Sequence, residues 1–368
     1  MFLGVNGLRL VTVRSGVARY IENILGCWGQ IEHPFDEILI YTPKALADDG
    51  IWAQRTRNVV VRGRGPYALW EQFHLPRAHG RDQILFCPSY VAPLGARCPI
   101  AVVHHGSYER YPQAFGPLQR ARGNIINRLS ARRADLLITV SESSKRDMIE
   151  FYGLTADRIH VIPEGVDLEL FRPSENTSAL REFRQRSLGA DVPFILYVGK
   201  PIRRHNIAPM LEAYSRLLRQ GVTEHRFLFI GAGLPGIDVA PLVADLGLEH
   251  HVTLVDHAGP ETVALAMQAS SLLIYPSSYE GFGMPVLEAM ACGVPAIALD
   301  NTAFPEFAGG VAYLAPDAAV ETLFRAMDEV LHDEGMRRQM RRDGPVRARA
   351  YDWRLLAQRT MDLVAGLI

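Results

Sequence analysis

The sequence is poor in cysteine, with only four in 368 residues. Cys27, Cys87, Cys98 and Cys292 form no C-x-x-C pair and no metal-ligand spacing, so we expect reduced thiols and neither a disulfide framework nor a zinc site. No apolar run approaches the roughly 18 residues of a membrane-spanning helix. The N-terminus also lacks the basic lead and apolar run of a secretory signal. These absences together predict a cytoplasmic protein.

A strong charge of one sign is also absent, since the formal net charge is -1. Proteins that bind nucleic acid generally carry a marked basic excess, so no nucleic-acid partner is expected. Lysine is scarce, because only Lys44, Lys145 and Lys200 occur and arginine is the default basic residue. Lys200 comes just after the end of a predicted strand, where loops often carry function. A solvated lysine is the alternative.

What the sequence does contain is an alternation of short apolar runs with longer amphipathic segments. This pattern is typical of parallel strands joined by crossover helices, and the length favours two domains. We predict two Rossmann-like, doubly wound α/β domains at 1–170 and 171–345. A helical segment at 346–368 either covers the second domain or crosses back to the first, and Gly344-Pro345 is expected to break the helix before it. The predicted strands are Glu37–Tyr41, Gln83–Cys87, Ile100–Val103, Leu136–Val140, Ile159–Ile162, Phe194–Val198, Phe227–Ile230, Val252–Val255, Leu272–Tyr275 and Ala296–Leu299.

The segment Tyr275–Pro295 is the richest in candidate functional residues. A strand is predicted to end at Tyr275, a glycine-bearing loop follows, and Pro285 stands where a helix would begin. Gly283 allows the backbone to approach a ligand closely. The helix N-terminus then offers amide groups that suit an anion such as a diphosphate. These amides belong to Met284, Val286 and Leu287.

Two carboxylates accompany this predicted anion site, Glu280 in the loop and Glu288 about one turn into the helix. Carboxylates beside a phosphate need hydroxyl-bearing partners, and the hydroxyls of a sugar and a ribose are such partners. In the alternative interpretation, Glu288 only caps its own helix and Glu280 is solvated.

The two glutamates lie in E-G-F-G-M-P-V-L-E-A-M-A-C-G-V-P with seven residues between them. This segment resembles the signature of the family-four retaining glycosyltransferases of the GT-B fold. Further segments resemble that family in the same order, so that the resemblance covers nearly the whole chain. They are Ser15–Tyr20, His104-His105, Val140–Asp147, Val161–Pro173, Pro305–Gly309 and Tyr351–Trp353. The resemblance implies an active site in the cleft between two domains.

The resemblance also implies a role for each matching residue on the donor side. Glu288 would hold the ribose hydroxyls, and Glu280 would contact the transferred sugar. Gly199 and Lys200 match a glycine–arginine step in which the cation binds the diphosphate. Phosphate and sugar would also bind to the chain at the start of the predicted helix, which comprises Gly283, Met284, Pro285 and Val286. Neither a metal nor a separate cofactor is implied.

One departure from the family concerns the second phosphate cation. The family usually has a lysine at the position that His205 occupies here. A histidine carries a full charge near neutral pH only when its surroundings favour the charged form. Either His205 itself or Arg203 or Arg204 would therefore supply this charge, and the sequence leaves the choice open.

A second departure concerns the acceptor side. His105 stands where the family has an acidic residue, whereas His104 matches the family's histidine and would face the acceptor or the transferred sugar. A purely structural histidine is the alternative for His104. The glycine loop that contains Ser15 and Gly16 completes the implied acceptor and phosphate side.

The activity that the resemblance implies is a retaining, metal-independent transfer of a hexose from a nucleotide sugar to a glycan or lipid-linked acceptor. GDP-mannose is preferred to a UDP-sugar, because Gly16–Tyr20 and Pro305–Gly309 resemble segments of mannosyl- and rhamnosyl-transferring relatives. Two alternatives keep the fold, a nucleotide-sugar epimerase and a non-catalytic GT-B domain.

A third alternative is an NAD-dependent oxidoreductase. Phe227–Ile230 is followed by G-x-G-x-x-G at Gly231–Gly236, and Asp256 ends the next predicted strand, as in a dinucleotide-binding fingerprint. Pro235 inside the loop and the position of the motif past the middle of the chain argue against this interpretation.

Arginines are concentrated between Glu109 and Asp135, where no acidic residue occurs. A solvated helix face explains them most simply. The alternative is peripheral contact with anionic lipid at the inner face of the plasma membrane, mainly through Arg120–Arg133. The six arginines are Arg110, Arg120, Arg122, Arg128, Arg132 and Arg133.

Overall fold

The computed structural model describes residues 1–12, 16–46, 55–80, 83–104, 109–110, 112 and 117–368. These residues form two compact units. The first unit comprises Met1–Glu164 together with Trp353–Ile368, and the second comprises Gly165–Asp352. The chain therefore leaves the first unit once and returns to it at its C-terminal end.

The first unit is built on a parallel sheet. Its described strands are β1 (Phe2–Asn6), β2 (Glu37–Thr42), β3 (Thr56–Val60), β4 (Ile84–Cys87), β5 (Ile100–His104), β6 (Leu136–Thr139) and β7 (Ile159–Val161). They pair in the order β3-β2-β1-β4-β5-β6-β7. Strands β4, β5 and β6 are buried along their whole length, as expected for a sheet covered on both faces. The helices that accompany them are α1 (Gly16–Trp28), α2 (Tyr67–Leu69), α3 (Leu75–Ala78), α4 (Pro117–Arg133) and α5 (Glu142–Tyr152), with a π-helical stretch at Trp70–His74 between α2 and α3.

The second unit repeats this plan with a parallel sheet of its own. Its strands are β8 (Phe194–Val198), β9 (Arg226–Ile230), β10 (Val252–Val255), β11 (Leu272–Tyr275), β12 (Ala296–Leu299) and β13 (Tyr313–Ala315). They pair in the order β10-β9-β8-β11-β12-β13. The neighbours β8 and β11 lie at the centre, where the order along the sheet changes direction, and ligands of such sheets bind beyond the carboxyl ends of these strands. The helices are α6 (Thr177–Leu188), α7 (Ile207–Arg219), α8 (Ala240–Asp245), α9 (Pro260–Ala269), α10 (Met284–Ala291), α11 (Phe304–Ala308), α12 (Val320–His332) and α13 (Glu334–Ala348).

All the predicted strands are confirmed, with each end shifted by at most one residue. The two parallel-sheet domains predicted from the alternation of segments are confirmed as well. Strands β1, β3 and β13 were not predicted. None of the helices in the ranges that the structure describes is long and apolar enough to cross a membrane.

The predicted break at Gly344-Pro345 is wrong, because α13 continues through both residues to Ala348. Gly344 packs against α10 so closely that a Cβ there would lie 2.7 Å from the carbonyl oxygen of Met290. A proline inside a helix removes one backbone hydrogen bond at a cost of about 3 kcal/mol. The close packing of α13 on α10 offsets this cost and keeps the helix intact.

The last helix, α14 (Trp353–Ala365), belongs to the first unit. Its apolar face is buried, and it packs on α1. The indole Nε1 of Trp28 donates a hydrogen bond of 2.9 Å to the carbonyl of Ala357, and the ring of Tyr20 meets that of Trp353 edge-on at 5.6 Å. The residues just before it, up to Asp352, stay with the second unit.

Candidate functional site

The loop after β8 brings cations to the centre of the second sheet. Gly199 continues the strand pairing through its amide, which donates to the carbonyl of Ile230 at 3.0 Å. Lys200 follows and is half-buried, and Arg204 lies in a short helical turn before α7. Burial, and then the positive charge of Arg204, lower the pKa of Lys200. The two cations are therefore close enough to influence each other.

The loop after β11 leads into the N-terminus of α10. Gly283 precedes this helix with a φ of +112°, in the left-handed region that favours glycine. A Cβ at this position would lie only 2.5 Å from Cε1 of Phe304. Pro285 lies in the first turn of the helix, which begins one residue earlier, at Met284. The predicted glycine loop and helix are thus present, with the helix beginning one residue before Pro285.

One of the predicted anion-binding amides is used inside the turn. The amide of Val286 donates to the carbonyl of Gly283 at 3.1 Å. We expected the Val286 amide to point outward to a ligand. Because its hydrogen bond closes the first turn of α10, the amide points into the turn instead. The Val286 side chain is fully buried and packs the start of α10 into the unit.

The carboxylate of Glu280 contacts four neighbouring side chains. Its Oε1 lies 3.0 Å from His205 Nε2, and it accepts hydrogen bonds of 3.0 Å from the hydroxyls of Tyr275 and Ser277. Its Oε2 lies 3.2 Å from Nη2 of Arg204. The side chain is only 13% exposed.

The charge state of Glu280 follows from these contacts. Burial alone would raise its pKa, but the positive charge of Arg204 and the hydrogen bonds from His205 and Ser277 outweigh burial. The pKa of Glu280 is thereby lowered to about 2. Glu280 is a fixed carboxylate at any physiological pH, and its charge in turn helps burial to raise the pKa of Tyr275.

His205 points into the unit and is only 3% exposed. Its Nδ1 lies 2.7 Å from the carbonyl oxygen of Lys200 and 2.7 Å from the hydroxyl of Tyr197. Its Nε2 faces Glu280, as described above. The structure thus brings Lys200, Arg204, His205 and Glu280 together, but it gives His205 a buried place next to Glu280.

Glu288 lies in the second turn of α10 and is 2% exposed. Burial, and then the charge of Glu288, raise the pKa of Cys292 one turn further along the helix. Glu288 is therefore neither a solvated carboxylate nor a residue of the first helical turn, which argues against the capping role considered as its alternative.

The glycines of the G-x-G-x-x-G segment serve close packing. A Cβ at Gly231 would lie 2.2 Å from the carbonyl oxygen of Gly199, and one at Gly236 would lie 2.3 Å from that of Pro201. The next helix, α8, begins only at Ala240. A dinucleotide fingerprint needs the helix to open directly from the glycine loop, so this segment instead lets β9 and its loop pack against the Lys200 loop.

On the first unit, His104 ends β5 and is fully buried. Its Nε2 lies 3.1 Å from the hydroxyl of Tyr152, and its carbonyl accepts a hydrogen bond of 2.8 Å from Thr139 Oγ1. The ring of Tyr90, a residue with a φ of +65°, meets it edge-on at 5.0 Å. His104 is thus held by its neighbours at the carboxyl end of its strand.

The other predicted residues of the acceptor side are less informative. Gly16 is the first residue of α1 and is exposed. Ser15 and His105 lie outside the described residues.

Several site residues were not predicted from the sequence. Tyr197, Tyr275 and Ser277 surround His205 and Glu280, and only the position of the last two at the end of β11 could have indicated them. In the first unit, Asn6 Nδ2 donates to Glu71 Oε1 at 3.0 Å, and both side chains are buried. Glu71 belongs to the π-helical stretch at Trp70–His74, a feature often found at functional sites.

The structure gives intramolecular partners to three arginines of the basic segment. These partners are the carboxylate of Asp147 for Arg110, the carbonyl of Tyr152 for Arg132 and the carbonyl of Ala96 for Arg133. Arg128 is exposed, and the side chains of Arg120 and Arg122 lie outside what the structure describes. Among the described residues no group of three or more His, Cys, Asp or Glu is arranged to hold a metal ion.

Two family models match the chain one after the other. The model described as "Glycosyltransferase Family 4" matches residues 14–170. The model described as "Glycosyl transferases group 1" matches residues 180–347. The interval between the two matches contains the start of α6 at Thr177, whereas the chain enters the second unit at Gly165, near the end of the first match.

Individual proteins show the same similarity. The chain is 27% identical over 290 residues to O-antigen chain mannosyltransferase B of Escherichia coli. This match covers 77% of this chain and 74% of that protein. It is 29% identical over 237 residues to the D-inositol 3-phosphate glycosyltransferase of Nocardia farcinica, and this match covers 60% of this chain and only 50% of that protein. The structure of HepE from Anabaena in complex with UDP-glucose matches with a TM-score of 0.80 at 18% identity, over 99% of both chains. At that identity the last similarity supports the fold.

Proposed function

Because the chain belongs to the group 1 glycosyltransferases and has the GT-B fold, we propose that it transfers a hexose from a nucleotide sugar to a glycan or lipid-linked acceptor. The observation that carries this proposal is the cluster at the carboxyl ends of β8 and β11. There Arg204 pairs with the carboxylate of Glu280, the charge of Arg204 reaches Lys200, and His205 contacts both the Lys200 carbonyl and Glu280. The loop that carries Glu280 leads into α10.

The chemistry of sugar transfer suits this cluster. Cleavage of the anomeric bond leaves negative charge on the departing diphosphate, and preorganised cations stabilise that charge as it develops. Lys200 and Arg204 are two such cations. The carboxylate of Glu280 is an acceptor for a sugar hydroxyl, and that of Glu288 is an acceptor for the ribose hydroxyls.

We further propose that the transfer retains the anomeric configuration and proceeds without a divalent cation. Family membership supports retention, and the two cations support charge neutralisation by the protein itself. The one-bond coupling between C1 and H1 of the product reports the configuration, also for a mannoside. Turnover that persists undiminished in EDTA agrees with metal independence, whereas its loss and recovery with added Mg²⁺ or Mn²⁺ contradicts it.

The sugar and base of the donor are proposed from the relatives. The E. coli relative is named a mannosyltransferase, whereas the solved HepE structure contains UDP-glucose. We propose GDP-mannose as the donor. A thermal-shift panel with GDP, UDP, ADP and dTDP, followed by hydrolysis of the matching sugar nucleotides, separates these choices. The largest shift is expected with GDP.

Two substitutions test the assignment of the site. Glu288→Ala should weaken binding of the nucleoside diphosphate, and Glu280→Ala should chiefly lower kcat with the sugar nucleotide. Glu261→Ala, at an exposed position of α9, is the matched control. If both site variants behave like this control, the proposed function is wrong. A product formed without any acceptor would instead indicate an epimerase.

A further inference from the structure

We propose that His205 is a positioning residue for the carboxylate of Glu280, and that Lys200 and Arg204, without His205, supply the positive charge for the diphosphate. This inference rests on the proposed function, because it assigns parts within the same donor site. It settles a choice that the sequence leaves open between His205 and its arginine neighbours.

The direction of the His205 side chain carries the first step. Both ring nitrogens have oxygen neighbours within the unit: Nδ1 lies 2.7 Å from the Lys200 carbonyl, and Nε2 lies 3.0 Å from Glu280 Oε1. With an exposure of 3%, the ring offers almost no surface to a ligand. A phosphate could reach it only after these contacts were broken.

The shape of the imidazole explains why a histidine suits this place. Its two nitrogens lie on different sides of a rigid ring, so Nε2 can donate to the Glu280 carboxylate while Nδ1 faces the Tyr197 hydroxyl and the Lys200 carbonyl. A lysine carries all its donors on one flexible ammonium group and cannot link the two points in the same way. The hydroxyl of Tyr197, 2.7 Å from Nδ1, adds a second oxygen on the anchored side.

The two oxygens of Glu280 then have different surroundings. Oε1 is held by His205, Tyr275 and Ser277, whereas Oε2 meets Arg204. The Arg204 side chain is 27% exposed, against 3% for His205 as a residue. Arg204 can therefore turn towards a diphosphate and leave Oε2 to a hydroxyl of the sugar, while His205 keeps the carboxylate in place.

Two isosteric substitutions test this division of roles. The amide nitrogen of glutamine takes the place of Nε2, and that of asparagine takes the place of Nδ1. His205→Gln keeps the hydrogen bond to Glu280, and His205→Asn keeps only the one to the Lys200 carbonyl. Binding of GDP and UDP is measured by calorimetry, and kcat is measured by hydrolysis of GDP-mannose and UDP-glucose. Thermal unfolding of each variant verifies that it is folded.

We expect kcat to fall about 10-fold or more in His205→Asn and to stay within about 3-fold of wild type in His205→Gln, because a lost hydrogen bond to a charged group has that magnitude. Binding of GDP or UDP should change less than about 2-fold in both variants, while Arg204→Gln weakens it by about 10-fold. A purely structural role would not separate kcat from binding in this way.

The contrary results are equally distinct. If both His205 variants weaken GDP or UDP binding as much as Arg204→Gln does, His205 is a phosphate contact and the inference is wrong. If His205→Gln and His205→Asn lose the same amount of kcat, the bond to Glu280 is not what matters, and the inference is wrong as well. Wild-type protein that neither binds GDP or UDP nor hydrolyses either sugar nucleotide overturns the proposed function, and the positioning role with it.

Discussion

Replacing Glu280 by glutamine should destabilise the second unit, and the size of the effect should depend on pH. Glutamine keeps the shape of the side chain but removes its charge. Arg204 then loses its carboxylate partner, and the donors around Oε1 face a neutral amide. Breaking a largely buried charge pair by removing one partner is costly, because the other charge stays desolvated.

The lowered pKa of Glu280 gives the size of this loss in stability. A carboxyl pKa that falls from its ordinary 4.5 to about 2 on folding stabilises the folded state at every pH above 4.5. For a side chain that is 13% exposed, this shift corresponds to about 3 kcal/mol. The contribution is lost as the pH falls from 4.5 through 2, and about half of it remains at pH 3. The stability difference between wild type and Glu280→Gln should shrink accordingly.

Two measurements can follow the unfolding of the two units separately, because tryptophan is confined to the first unit. Residues 165–352 contain no tryptophan, so tryptophan fluorescence reports unfolding of the first unit. Hydrogen exchange of peptides from β11 and α10, measured in increasing urea, reports the second. Glu280→Gln should lower the opening free energy of these peptides by about 3 kcal/mol at pH 7 and by about half as much at pH 3, with fluorescence unchanged.

The matched control is Glu321→Gln, which breaks a pair with Arg216 at a side chain that is 47% exposed. Exposed pairs contribute little to stability because solvent screens them. If Glu280→Gln costs no more than this control, or if its cost is the same at pH 7 and pH 3, the interpretation of the Glu280 cluster is refuted.

Two further predictions concern packing. Gly310→Ala should lower the unfolding free energy by roughly 1 kcal/mol through left-handed backbone strain alone, because nothing lies within 4 Å of a Cβ at that position. Gly231→Ala should lower it by well over that amount, because a Cβ there meets the Gly199 carbonyl at 2.2 Å. Equal values in urea unfolding would contradict this prediction. Trp28→Phe removes the hydrogen bond to the Ala357 carbonyl at a cost of about 1–2 kcal/mol. Limited proteolysis should therefore cut α14 away sooner than in wild type. An unchanged rate of cleavage would show that this hydrogen bond does not anchor the helix.

The fold could be predicted where a strand is a continuous apolar run. β11 and β12 are buried at every position, so their sequences contain little but apolar residues. Two of the three strands that escaped prediction lack this signal, whereas β1 is central and buried from Leu3 to Asn6 and was missed all the same. β3 is an edge strand with polar residues at Arg57 and Asn58, and β13 has only three residues. Burial on both faces makes a strand recognisable, and polar residues in an edge strand such as β3 weaken that signature.

Local rules failed where tertiary contacts overruled them. Pro345 is a strong helix breaker in isolation, yet α13 passes through it, because Gly344 lies against the Met290 carbonyl of α10. The Val286 amide was expected to point at a ligand, but the first turn of α10 tightens and uses it. Both outcomes depend on how neighbouring segments pack, and no property of a short sequence window contains that information.

The position of His205 shows what a motif comparison can and cannot decide. Alignment identifies a histidine where a lysine is usual, and from charge alone this substitution weakens the site. The structure shows that the His205 side chain turns inward to Glu280, while the neighbouring Arg204 pairs with Glu280 Oε2 and its charge influences Lys200. In the proposed assignment, Arg204 takes the part of the usual lysine from a position one residue earlier in the chain. Under the proposed function this exchange would preserve the charge near the diphosphate and leave His205 to support the carboxylate, so the two neighbouring positions have to be interpreted together.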